Sequence, residues 1–428
     1  MERNFSRFEI ANGVNFNVIK DKRFKTGRIS FTAFLPLDSQ KVSSYAVVPF
    51  VLGDSCRKYP DFTSLNMELA DLYGASLFSD VSKIGDMQAL TMSISFLDNR
   101  YALNKEDLSS KLTQLLCDLI FDPLIENATF KEEIVEQKKR QIIELIDSEY
   151  NDKRILARIR CEEIMCKKEK FGISRFGEKN QVMALTSDDV FNAWKEVLRN
   201  AKIEIMALGD IDYEPAINAF KNAFSKIKRE TILNCKTEII KNVNELKEQK
   251  DEMDIAQSKL VMGFRTGAAL KDPEVMATRV AVALFGSTPQ SKLFLNVREK
   301  LSLCYYCSAR YDRNKGIMMV QSGVERKNID KAKKEILNQL EEIKKGNFTE
   351  NELDDTKRSL ANSYRTIGDF LSGLESFYLS QVFDDEFFTP EYFVDATYKV
   401  TKEQIVKAAN MIKLDTVYAL VGNEEESQ

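Results

Sequence analysis

The sequence predicts an α+β protein built from two tandem homologous domains. Three observations carry this. Alternating strands and long amphipathic helices come in blocks rather than in strict turn, which suits sheets covered by segregated helices. The order of elements restarts after about residue 252. The run Phe130-Lys131-Glu132-Glu133, followed by Lys139-Arg140, is echoed by Phe348-Thr349-Glu350-Asn351, followed by Lys357-Arg358. The offset is a constant 218 residues (348 against 130, 357 against 139). A period that long marks a duplicated domain, not a solenoid. With 428 residues, 43% of them hydrophobic, the chain has material for two or three domain cores.

The first half opens on the strand Ile29-Ser30-Phe31-Thr32-Ala33-Phe34-Leu35, apolar and polar in alternation and stopped by Pro36. Helical periodicity follows near 43–56 and 63–73, and Gly74 turns the chain into a second strand region. Ala89 to Phe96 alternates again as a strand. Long amphipathic helices are expected over 105–121 and 127–149, then a helix at 187–198, the strand Ile203 to Leu208 and a helix at 213–226.

Between 227 and 252 lysine, arginine, glutamate and aspartate crowd in without apolar periodicity, which reads as a solvated linker. The expected division is therefore a first domain over 1–228, a charged linker over 229–252 and a second domain over 253–428. In the second domain the strand Lys259 to Phe264 precedes helices near 273–286 and 290–300. Strands near 303–311 and 316–324 come next, then helices near 329–345, 350–371, 389–397 and 402–412, and the strand Val417 to Val421.

Composition excludes more than it selects. There is no histidine, so the chain supplies no Ser-His-Asp or Cys-His nucleophile and no imidazole metal ligand. Net charge is −4, from 62 basic and 66 acidic residues. No basic stripe with interleaved aromatics invites nucleic acid. No apolar run is long enough for a signal peptide or a membrane span. Seven cysteines, an odd number scattered along the chain, read as reduced thiols of a cytoplasmic protein rather than a secreted disulfide framework. The acidic pairs Glu132-Glu133, Glu341-Glu342, Asp354-Asp355 and Asp384-Asp385 read as solvated faces, and the tail Glu424 to Gln428 as a frayed end.

Two short patterns remain. From Gly286 to Tyr305 the sequence reads as a turn, a helix with Pro289 at its first position and Leu293, Phe294 and Val297 on one face, and a following strand. Arg298 at the helix end and Tyr305 at the strand start can converge on one point. Dipole compensation and a half-buried strand aromatic would explain the same two residues. Cys304-Tyr305-Tyr306-Cys307 is a C-x-x-C. It falls in a strand, where positions i and i+3 face opposite sides, so redox pairing is not expected of it.

The segment from Gly286 to Tyr305 resembles the "G…SRLF…VREKxGLxY" signature of the second domain of M16 (pitrilysin, or insulinase-like) metallopeptidases. Leu72-Tyr73-Gly74-Ala75-Ser76-Leu77 is similar to that family's "ENxGAxLNA" stretch, and Val135 to Glu144 to its "VEKERxVILEE" helix. The resemblance implies two tandem α/β-sandwich domains of the M16/LuxS-like metallohydrolase fold, arranged as a clamshell. It also implies that Arg298 and Tyr305 bind peptide substrate and its oxyanion.

The resemblance stops at the metal. The inverted zinc motif His-x-x-Glu-His would fall approximately on Ala46-Val47-Val48-Pro49-Phe50, so Ala46, Pro49 and Phe50 stand near its ligand and base positions. Lys138 matches the third ligand, a glutamate, and Phe78 matches a peptide-binding asparagine. The expectation is that the chain binds no cofactor. On the resemblance, which is nearest to the bacterial YmfF-like branch, it is a zinc-less M16B-type subunit inactive alone. Zinc and His-x-x-Glu-His would come from a partner chain in a heterodimer that hydrolyses a peptide or small protein, with no nucleic acid or membrane involved. The alternative is a non-proteolytic structural, peptide-binding or assembly protein of the same fold.

Overall fold

The computed structural model describes residues 4–384 and 386–422. Asp385 and the acidic tail 424–428 lie outside the described residues. In chain order, the strands β1 (Asn4–Ala11), β2 (Val14–Lys20) and β3 (Thr26–Pro36) lead into helices α1 (Val42–Leu52) and α2 (Phe62–Asp71). Strands β4 (Ser76–Ile84) and β5 (Met87–Leu97) precede α3 (Leu108–Phe121) and the short hairpin β6 (Ile125–Glu126) and β7 (Thr129–Phe130). Then come α4 (Glu132–Asn151), α5 (Lys153–Met165), α6 (Lys179–Ala184), α7 (Ser187–Asn200), β8 (Lys202–Gly209) and α8 (Glu214–Phe224). The remainder is β9 (Lys247–Glu252), β10 (Ser258–Arg265), α9 (Val275–Val282), two π-helical segments (Ala283–Ser287 and Leu293–Lys300), β11 (Cys304–Asp312) and β12 (Ile317–Val324). It ends with α10 (Ile329–Lys344), α11 (Glu350–Thr366), α12 (Leu371–Leu379), α13 (Pro390–Lys399), α14 (Lys402–Met411) and β13 (Lys413–Val421).

These elements form two compact units, and neither is a continuous stretch of chain. Of the described residues, one comprises 4–147, 173–236 and 369–382; the other comprises 148–172, 237–368, 383–384 and 386–422. Each has one large mixed sheet. The first sheet runs β1-β2-β8-β3-β5-β4 and the second β11-β12-β10-β13-β9. Read from β4 and from β11, the orders coincide strand for strand until the first sheet adds β1 at its far edge. The pairing senses coincide too: β2 with β8 and β9 with β13 are parallel, and the other matched pairs are antiparallel. The duplication seen as an offset in sequence is thus a duplicated topology.

This equivalence explains where the sequence pattern misled. β9 is the counterpart of β2, yet it lies inside the stretch expected to be a linker. Its sequence, Lys-Glu-Gln-Lys-Asp-Glu, has no apolar face because it closes the open edge of its sheet, where charges discourage further pairing. The rest of the stretch is tied down rather than loose. Arg229 Nε donates to the Asn12 carbonyl at 2.8 Å, and the Leu233 amide donates to Asn200 at 2.8 Å. Lys241 pairs with Asp272 at 2.7 Å.

Both faces of each sheet are covered. In the first unit, Ile29, Phe31, Ala33 and Leu35 of β3 join one core, with Phe31 edge-on to Phe121 of α3. On the other face Ser30, Thr32 and Phe34 are also buried. There α12 supplies Glu375, whose carboxylate accepts from Arg28 Nε at 2.5 Å, and Tyr378, stacked on Phe5. In the second unit α5 plays the corresponding part: Cys161 and Met165 pack with Val261, Met319, Tyr418 and Leu420. A Cβ at Gly263 would lie 2.7 Å from the Met165 sulfur, so glycine permits that approach. Neither α5 nor α12 was expected as a separate helix. Each covers a sheet built mainly from the other half of the chain, and nothing local in their sequences reveals that.

Candidate functional site

The Gly286–Tyr305 segment is built around a close approach to β11. Gly286 lies in the first π-helical segment, where a Cβ would meet the Ala309 Cβ at 2.7 Å and the Leu293 Cδ1 at 2.7 Å. Its neighbour Ser287 donates its hydroxyl to the Ala309 carbonyl at 2.7 Å. Pro289 sits in the turn between the two π-helical segments, not at a first helical position; the second segment starts at Leu293. Leu293 and Val297 are the buried side of that segment.

The segment ends in a tight reversal. The Leu301 amide donates to the Asn296 carbonyl at 3.1 Å, an i to i−5 bond that closes the wide turn. Ser302 takes a positive φ of 48°, and the Leu303 amide donates to Val297 at 3.1 Å. The reversal puts the end of the helix beside the start of β11, so Arg298 and Tyr305 flank the same turn. Arg298 lays its guanidinium over the Phe294 ring, 4.6 Å from the centroid, and its Nε is 3.5 Å from Glu299. Tyr305 is 62% exposed. The Arg298 side chain is itself 41% accessible, so both side chains reach solvent.

Tyr305 is exposed because the strand bulges there. β11 and β12 are antiparallel, with Cys304 opposite Val324, Tyr306 opposite Gly323 and Cys307 opposite Ser322. Tyr305 is the extra residue, left without a partner. Tyr306 then lies over Gly323, where a Cβ would come 2.5 Å from the ring. The Tyr306 ring also lies beneath Arg154, 4.7 Å away, and near Lys259, 5.9 Å away.

The bulge overturns one expectation about the C-x-x-C. Val324 and Ser322 are two apart on a regular strand and share a face, so their opposites Cys304 and Cys307 share a face as well. Both are buried in the core of the second unit. Alternation along an unbroken strand would have separated them; one inserted residue restores the same side.

The matched positions in the first unit are chemically different. Ala46 and Pro49 are buried in α1 and Phe50 is half-buried. None of the three carries a ligand atom in its side chain. Lys138 extends from α4 to Asp54, just past the end of α1, with 2.7 Å between ammonium and carboxylate. The Phe62 ring lies 5.9 Å from the same ammonium. An ammonium has three donors and no lone pair, and this one already neutralises the nearby carboxylate. The donor set does not fit a zinc ion. Asp54 had not been singled out from the sequence, although a lysine buried in a domain core implies a carboxylate beside it. Phe78, on the edge strand β4, is 55% exposed.

The family described as "Peptidase M16 inactive domain" matches residues 184–360. A protein of Bacillus subtilis (strain 168), described as "Probable inactive metalloprotease YmfF", is 32% identical over 415 residues, covering 97% of each chain. The chain belongs to the M16 metallopeptidase family. Among solved structures, a conserved protein from Enterococcus faecalis V583 is 27% identical with a TM-score of 0.90, over 99% of this chain and all of that one. The peptidase M16 inactive domain from Pseudomonas fluorescens shares the fold, with a TM-score of 0.77 over 98% of each chain at 17% identity. Within this M16 chain, no helix of the described residues is long and apolar enough to cross a membrane.

Proposed function

We propose that this M16 chain is the zinc-less, substrate-positioning subunit of a heterodimeric peptidase whose partner chain carries His-x-x-Glu-His and the zinc. The observation that carries the reading is the contrast between the two units. In one, the metal-ligand positions are apolar or occupied by an ion-paired lysine. In the other, Arg298 and Tyr305 stand exposed on a turn whose glycine, π-helical turns and bulge all serve to present them.

In this reading Tyr305 donates a hydrogen bond to the peptide carbonyl oxygen as negative charge develops on it. Arg298 leaves its place over Phe294 and holds a second carbonyl of the substrate. The setting we propose is cytoplasmic, supported by the odd number of scattered cysteines. The test is to purify this chain with a zinc-motif companion and assay peptide cleavage by each chain alone and by both together. Cleavage that needs both chains is expected. A companion equally active by itself, or no complex at all, overturns the proposal.

A further inference from the structure

We propose that Cys304 and Cys307 are a redox-modification site, a dithiol that closes reversibly to a disulfide across the bulge at Tyr305. Opposite Val324 and Ser322, the two cysteines lie buried on one face of the strand, on either side of the bulge. A disulfide asks for roughly 4.4–6.8 Å between Cα atoms, a span open to same-face neighbours on one strand. Each thiol acts on the ionisation of the other, and Ser322, opposite Cys307, donates its hydroxyl to the Tyr306 carbonyl between them at 3.1 Å.

The two sulfurs are not equivalent. The hydrogen bond from Cys307 lowers the Cys304 thiol below its ordinary value against the effect of burial, with help from Ser322 and the charge of Arg298. Cys307 is pushed the other way, by that same hydrogen bond and by burial. Cys304 is also the less enclosed of the two, 8% exposed against 5%. It is the attacking thiolate and Cys307 the resolving thiol. The other buried thiols lack this arrangement: burial raises Cys56, Cys117, Cys161 and Cys166.

The oxidant is a hydroperoxide. The Cys304 thiolate attacks one peroxide oxygen, the O–O bond breaks, and an alcohol or water leaves with the thiol's proton. Cys304 is oxidised by two electrons to a sulfenic acid. The Cys307 sulfur then attacks the Cys304 sulfur, the S–S bond forms, the S–O bond breaks, and the departing hydroxide takes the Cys307 proton as water. One peroxide is reduced for each disulfide formed. A dithiol reverses the reaction by exchange. The inference is independent of the peptidase reading, because it needs only the pair and the bulge.

The test uses the full chain, fully reduced, then exposed to hydrogen peroxide in its native state, quenched, and alkylated under denaturing conditions before mass spectrometry. Residues 301–310 form one tryptic peptide containing both cysteines. The expected result is loss of both alkylation sites in that peptide and of two hydrogens from its mass, reversed by dithiothreitol. In a Cys307→Ser variant the oxidation should stop at a sulfenic acid on Cys304, trapped by a cyclic dione. The half-buried Cys235 is the internal control for general oxidation. The proposal is overturned if Cys304 and Cys307 remain alkylatable after Cys235 has been consumed. Over-oxidation of Cys304 without a disulfide overturns it equally. Should Cys307→Ser fail to fold, the wild-type peptide alone decides.

Discussion

Lys138 places its ammonium 2.7 Å from the carboxylate of Asp54, and both side chains are buried. A fixed internal cation thus stands beside α1, at the position the sequence resemblance assigns to a zinc-binding glutamate. Removing the lysine alone leaves a buried carboxylate without a counter-charge. Lys138→Met should therefore destabilise the chain by about 3–5 kcal/mol in denaturant unfolding. The double variant Lys138→Met with Asp54→Leu should recover most of that loss. A single variant as stable as wild type would show that the pair is solvated.

Reinstating a carboxylate should not reinstate a metal. Lys138→Glu puts two carboxylates side by side with no imidazole to complete a tetrahedral set. Zinc titration followed by desalting and elemental analysis should find well under one equivalent bound. Tight one-to-one zinc in this variant would contradict the account of the first unit.

A second buried network holds the segment 148–172 in its unit. Arg265 reaches Glu169 at 2.5 Å and Asp415 at 3.0 Å, and Lys315 reaches Glu169 at 2.9 Å. Burial pushes the Glu169 carboxyl up, but hydrogen bonds and charge from Arg265 and Lys315 outweigh it and hold it below its ordinary value. Its contribution to stability is then fully present above the unfolded value near about 4.3 and is lost as pH falls through the lower folded value. Glu169→Gln should cost about 3–5 kcal/mol at pH 7. The gap between variant and wild type should shrink as pH is lowered through that window. A gap that stays constant down to the acid transition would remove Glu169 as its source.

Gly286 is where the π-helical turn meets β11. Gly286→Ala forces a Cβ against Ala309 and Leu293, an overpacking expected to cost about 1–3 kcal/mol. The same substitution should shift the amide signals of the reversal at 301–305 in NMR spectra. Unchanged signals there would mean that the turn is set by the reversal alone.

Tyr305 and Arg298 test the proposed function most directly. Tyr305→Phe and Arg298→Ala should each leave stability within about 0.5 kcal/mol of wild type, since both side chains are exposed. In the complex with a zinc-bearing partner, loss of the Tyr305 hydroxyl should lower turnover by about 100- to 1000-fold, or about 2.7–4 kcal/mol. Arg298→Ala should weaken peptide binding as well as turnover. Wild-type activity from both variants would favour a scaffold over a substrate-positioning subunit.

The sequence by itself determined the α+β class, the duplication and the segment that presents Arg298 and Tyr305. Periodicity in β3, β5, β8, β10 and β12 and the motif at 286–305 are local signals, set by which side chains one strand or helix must bury. The absence of histidine was equally legible. The tertiary structure decided what depends on distant partners. β9 is a strand because β13 pairs with it, although its own residues are charged; α5 and α12 are fixed by sheets far away in sequence. Asp54 matters because folding brings Lys138 to it. The two cysteines of the C-x-x-C share a face because β12 sets a register that leaves Tyr305 unpaired. Alternation is a property of one strand, whereas a bulge is a property of two, and a single sequence read along its length contains only the first.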